Sequence, residues 1–103
     1  MLDPRFEKRF IRSIPYGKDN AVSMKSLADA YGVEERKIRL IVQLLREHGV
    51  PIIGDRHGYY FAGSYEEQRD VVNLLAARAR SAEISLATHK KALDQIRQLR
   101  PEG

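Results

Sequence analysis

The 103-residue chain reads as an α+β domain, mostly helical, followed by a long C-terminal helix. Three observations predict this. Over residues 24–48, apolar positions recur at helical spacing on both sides of a central glycine. Two short β-branched or aromatic runs follow, separated by a polar loop that contains glycine. Residues 65–99 then hold neither Pro nor Gly and are dominated by helix formers.

In order along the chain, residues 4–14 are expected to form a first helix. Pro4 suits its start, and Phe6, Phe10, Ile11 and Ile14 form the apolar stripe. Pro15 ends it, and residues 16–20 make a polar turn. Ala21 and Val22 suit a short edge strand. Ser23 is a good N-cap for the next helix, with Ser26 as the other candidate. Leu27 and Ala28 face inward on that helix, and Tyr31 closes it. Gly32 supplies the positive φ that reverses the chain, and Val33 is expected to plug the angle between the helices. Ile38, Ile41, Val42 and Leu45 form the inward face of the following helix, which Gly49 ends. Residues 50–53 and 59–62 are the expected strands, joined by a loop over 54–58, with Pro51 tolerated near a strand start. Tyr60 should face one way and Tyr59 and Phe61 the other, as hairpin and core packing. Ser64 followed by Glu67 marks a capping box for a last helix of about 50 Å at 1.5 Å per residue. The expected division is therefore a domain over 1–63 and a helical element over 64–103.

Composition bounds the function. The chain has no cysteine, hence no disulfide framework, thiolate zinc site or thiol nucleophile. This suits a reducing cytoplasm, the expected location. No apolar run marks a signal peptide or a membrane span, and no membrane association is expected. The formal charge of +4 permits nucleic-acid binding without arguing for it. That charge is spread: five basic and three acidic groups in residues 1–22, six and five in 23–63, seven and six in 64–103. Binding must then come from where charges are placed on one surface.

That placement is informative on the helix after Gly32. Opposite its inward face stand Arg36, Leu40 and Gln43. Helix residues of this kind read base edges in the major groove: Arg36 can pair with guanine, Gln43 with adenine, and Leu40 can touch a thymine methyl. Ser23, Lys25, Lys37 and Arg39 are the expected phosphate contacts, which set register without reading sequence. Glu34 and Glu35 serve the helix dipole. Arg56 and His57 occupy the hairpin loop, where Arg56 is the stronger candidate for a DNA contact. The competing interpretation is a solvated amphipathic face, or a face for another protein, which the outward Leu40 would suit.

Helix, helix, helix and hairpin is the order of a winged helix. The segment Leu27-Ala28-Asp29-Ala30-Tyr31-Gly32-Val33, the helix through Leu45, and Gly49-Val50-Pro51-Ile52 with Gly58-Tyr59-Tyr60-Phe61 resemble the winged helix-turn-helix domains of small prokaryotic and phage regulators. The N-terminal domain of the biotin operon repressor is one of these. The resemblance covers residues 6–63 and implies double-stranded DNA binding through the helix over 34–48, with a wing over 55–58 assisting. Glu34 stands where that family often carries Ser or Thr. Nothing of the repressor's ligase chemistry carries over. The role expected is transcriptional regulation, or an accessory part in replication, packaging or excision. A winged-helix module that binds protein is the alternative.

In the last helix Val72, Leu75, Ala79, Ala82, Leu86, His89, Leu93 and Ile96 follow alternating steps of three and four, a heptad seam. Glu83, Lys90, Lys91 and Arg97 flank it. A domain of some sixty residues cannot cover so long a seam, so a homodimer through this helix is expected. The alternative is a break near Ser81 and a helical hairpin. His48, His57 and His89 lack metal-site spacing, and no phosphate loop, nucleophile elbow or HExxH motif is present. No catalytic activity, cofactor or small-molecule ligand is therefore expected.

Overall fold

The structure, a computed structural model, describes residues 2–99. It is α+β and mostly helical, and it divides into two compact units, Met1–Gln68 and Arg69–Gly103. The first unit holds α1 (Pro4–Arg12), a 3₁₀ turn (Lys18–Asn20), α2 (Met24–Tyr31), α3 (Glu35–Glu47) and a hairpin of β1 (Ile53–Asp55) with β2 (Gly58–Tyr60). The start of α4 (Tyr65–Leu99) belongs to it as well.

The Asp3 carboxylate caps α1 by accepting from the Arg5 amide at 2.8 Å. This helix is shorter than expected. It stops at Arg12, and Ile14 is buried from the turn beyond. The reason is local: the Ser13 hydroxyl donates to the Arg9 carbonyl at 3.0 Å and shares a 2.6 Å hydrogen bond with the Tyr31 hydroxyl. Phe6, Phe10 and Tyr31 make an aromatic cluster with centroids 5.4–6.0 Å apart, and the Arg9 guanidinium lies over Phe6 and Tyr31.

Ser23 does cap α2, accepting from the Ser26 amide at 3.0 Å. Both α2 and α3 end on a left-handed glycine in the same way. At Gly32 (φ 64°), the Val33 amide donates to Ala28 and the Gly32 amide to Asp29. At Gly49 (φ 89°), the Val50 amide donates to Leu45 and the Gly49 amide to Arg46. Each is a complete Schellman closure. Val33 is corrected by this geometry: its backbone closes the turn, while its side chain stays 36% exposed and does not plug the interhelical angle. The core forms from Phe10, Ile14, Leu27, Ala28, Ile38, Ile41, Val42, Leu45, Ile52 and Phe61. The inward faces of α2 and α3 are those that helical spacing predicts.

The hairpin differs from expectation. Its strands pair Ile53 with Tyr60, Gly54 with Tyr59 and Asp55 with Gly58, so the connection is only Arg56-His57. Residues 50–52 and 61–62 lie outside the strands, and Gly54, Asp55 and Gly58 lie inside them. Two contacts set this register. The Asp55 carboxylate accepts from the His57 amide and the Tyr60 hydroxyl, both at 2.8 Å, locking the turn. The outer edge of β2 pairs with the connection between α1 and α2: Val22 and Tyr59 exchange both backbone hydrogen bonds. One step on, the Phe61 amide donates to Pro15 and its carbonyl accepts from Gly17. Phe61 thus lies just beyond β2 and is buried in the core with Tyr59 packed against that cluster, while Tyr60, also buried, lies outside it with its hydroxyl on Asp55, as the alternation predicts. The edge strand expected at Ala21-Val22 is the single bridge at Val22.

The Ser64 hydroxyl accepts from the Glu67 amide at 3.1 Å, the first half of the expected capping box. The second half is redirected. The Glu67 carboxylate accepts from the Gly63 amide at 3.0 Å and, more weakly, from the Lys18 amide. It therefore ties the 3₁₀ turn to the start of α4. This helix then runs unbroken for 35 residues, with no break near Ser81, and none of its residues is buried. The expected end at Pro101 and Gly103 lies outside the described residues.

Candidate nucleic-acid interface

Arg36, Leu40 and Gln43 stand at i, i+4 and i+7 of α3 and are all exposed, opposite the buried Ile38, Ile41, Val42 and Leu45. Leu40 is 50% exposed between these polar neighbours. Lys37 and Arg39 are exposed on the same helix, and Glu35 occupies its first turn. The Glu34 side chain makes no capping hydrogen bond, so the backbone amides at the start of α3 have no carboxylate cap from it.

Beside this helix lies an open cleft of about 410 Å³, lined by Ser23 and Met24 of the α2 start, Arg39 and Arg46 of α3, and residues 54–59. It gathers Ser23, Arg39, Arg56 and His57 in one place. Lys25, Lys37 and the Arg36, Leu40 and Gln43 group lie outside its lining. Three arginines border the cleft and Asp55 is its one acid. Burial pushes the Asp55 carboxyl up, but hydrogen bonds from Tyr60 and His57 outweigh this and hold it below its usual 3.8. Burial, reinforced by the bond to Asp55, pushes the Tyr60 phenol up to about 12. The acid is therefore spent on shaping the hairpin turn. The Ser23 hydroxyl is also engaged, accepting from the Ser26 amide and donating to Ser26 Oγ at 2.9 Å. Lys25 pairs with Asp29 at 3.5 Å in a solvent-exposed contact, which holds its ammonium only weakly.

Arg46 is the residue of this cleft that helical spacing alone did not select. Its Nε donates to the Ile52 carbonyl at 2.9 Å, fastening the residue just before β1 to α3. Gly54 makes room for it: a Cβ there would stand 2.9 Å from both an Arg46 nitrogen and the Tyr59 ring. The signal available was the seven-residue step from Arg39 combined with a glycine inside the hairpin.

On α4, Val72, Leu75, Leu86, Leu93 and Ile96 are each 53–56% exposed, and Ala79, Ala82 and His89 are exposed with them. Leu74, Ile84 and Leu99 lie off the heptad positions and are exposed as well. Among the described residues, no helix is long and apolar enough to cross a membrane, and no three His, Cys, Asp or Glu side chains group as a metal site would require. No family model, curated protein or solved structure matches this chain.

Proposed function

We propose that this chain is a winged helix-turn-helix protein that binds double-stranded DNA. The carrying observation is the continuity of one exposed face: Arg36, Leu40 and Gln43 on α3, bordered by the arginine-lined cleft that reaches the hairpin tip. In this reading α3 enters the major groove, with Arg36, Leu40 and Gln43 at base edges and Lys25, Lys37 and Arg39 on phosphates. Ser23 contributes through its place beside the phosphate path, since its hydroxyl is already engaged. Arg56 and His57 form the wing tip. The role is that of a cytoplasmic regulator, or of an accessory factor in replication, packaging or excision.

The exposed seam of α4 supports a homodimer. Burying five side chains that are more than half exposed contributes about 4–8 kcal/mol per chain, at roughly 1.5–3 kcal/mol for each full burial. Doubled over the pair, this is of the size that association costs, so burial of the seam offsets the loss of free rotation and translation. A second reading, a surface for another protein, is favoured by the exposure of Leu40 together with Val33.

Titration of mixed-sequence duplex DNA at two salt concentrations separates the two. Three cations on phosphates per protomer, Lys25, Lys37 and Arg39, give a log–log salt slope of about −2.7, or roughly fortyfold weaker binding per protomer between 50 and 200 mM salt. Absence of binding at the lower salt overturns the DNA reading.

A further inference from the structure

We propose that the α4 helices of two copies pair antiparallel, with Val72 opposite Ile96, Leu75 opposite Leu93, Ala79 opposite His89, and Ala82 opposite Leu86. This rests on the dimer reading above and adds its orientation. The seam is complementary to its own reverse. Its small residues, Ala79 and Ala82, lie on one side of the midpoint at position 84, and the bulky Leu86 and His89 lie at the mirror positions on the other. Reversal places a large side chain against each small one, as interdigitated packing requires. It uses all eight seam positions, whereas a shift of one heptad either way leaves two of them without a partner.

The parallel, in-register pair is poorer at the same positions. It stacks two successive alanine layers, where facing side chains are too short to fill the space. It also sets the two His89 imidazoles face to face away from water, each needing a hydrogen-bond partner. In the antiparallel pair the imidazoles lie about 15 Å apart along the axis, each against an alanine. Charges at the flanks lean the other way. Parallel pairing brings Arg78 near the second copy's Glu83, while antiparallel pairing brings Glu83 near its own copy and Arg69 near Arg97. These groups sit on the solvated edges of the seam, where ion pairs contribute little, so packing decides.

Because the chain has no cysteine, each introduced thiol is unique. The full chain is prepared as Val72→Cys and as Ile96→Cys, and the two are oxidised separately and as an equimolar mixture. A repeat with Leu75→Cys and Leu93→Cys guards against a perturbed layer. The proposal expects disulfide-linked dimer in the mixtures, at least tenfold above either single variant. Self-linking of Val72→Cys or Leu75→Cys alone shows a parallel pair and overturns the orientation while leaving the dimer intact. Light scattering of the unmodified chain as a monomer at tens of micromolar, with no cross-linking in any sample, overturns the dimer reading as well and assigns the seam to another protein.

Discussion

Gly58 offers the sharpest test of how the hairpin is held. Its φ is 120°, and a Cβ there would run into the Val22 carbonyl, colliding with the oxygen and standing 2.8 Å from the carbon. Neither atom can step aside, because Val22 and Tyr59 exchange two backbone hydrogen bonds at that point. Gly58→Ala therefore carries a backbone strain of about 1–3 kcal/mol and an overpacking cost of about 1–3 kcal/mol. Gly49 is the control. Its φ is also positive, at 89°, yet nothing lies within 4 Å of a Cβ built on it. Gly49→Ala pays only the left-handed conformation, about 1–2 kcal/mol. The assay is equilibrium urea denaturation followed by tyrosine fluorescence. The chain has no tryptophan, and all five of its tyrosines (16, 31, 59, 60 and 65) fall in Met1–Gln68, so the signal reports this unit and not the rest of α4. At roughly 4–8 °C per kcal/mol, Gly58→Ala should also melt well below Gly49→Ala. Equal midpoints at equal slopes for the two variants would refute the close approach of β2 to Val22.

Four further outcomes are expected. The Tyr60 phenol is favoured in its neutral form by the fold, so its contribution is whole below pH 10 and is lost as the pH rises through about 12; phenolate absorbance should show one late-titrating tyrosine, absent in Tyr60→Phe. Asp55 behaves in the opposite sense. Its lowered value makes its contribution complete above 3.8 and lost as acid protonates it, and Asp55→Asn should cost only about 0.5–1 kcal/mol in urea melts because water screens the carboxylate. Glu67→Ala removes the acceptor for Gly63 and Lys18 and should cost about 0.5–2 kcal/mol, most of it recovered in Glu67→Gln. On DNA, Arg36→Ala should relax sequence preference while Lys37→Ala weakens all duplexes alike; equal losses on every sequence in both variants would remove that division of labour.

What the residues disclosed and what they withheld divides along range. The faces of α2 and α3 follow from a repeat of three and four, and their ends from Gly32 and Gly49, all local signals. The hairpin register is not local. Residues 50–53 look like a strand by composition, but Val22 and Pro15 hold the far edge of β2 and slide the pairing toward Asp55. Asp55 was legible only as loop because its carboxylate, serving Tyr60 and His57, matters after the turn exists. Arg46 joined the cleft for the same reason: its Ile52 partner is placed by the hairpin. Glu67 was recognised as a cap, yet two of its partners, Gly63 and Lys18, come from outside the helix it caps.

The bridges at Val22–Tyr59 and Tyr16–Phe61 join residues 37 and 45 positions apart. Closing loops of that length carries an entropic cost that the local turns of α1, α2 and α3 do not share. Helices form in about a microsecond, whereas the outer edge of β2 waits until the chain on either side of α2 and α3 has been brought together. The segment bearing Arg56 and His57 is therefore assembled late. Substitutions on its edge, Gly58→Ala foremost, should steepen the unfolding rate while leaving the refolding rate nearly untouched. A chevron in which Gly58→Ala instead slows refolding would place the hairpin in the folding nucleus.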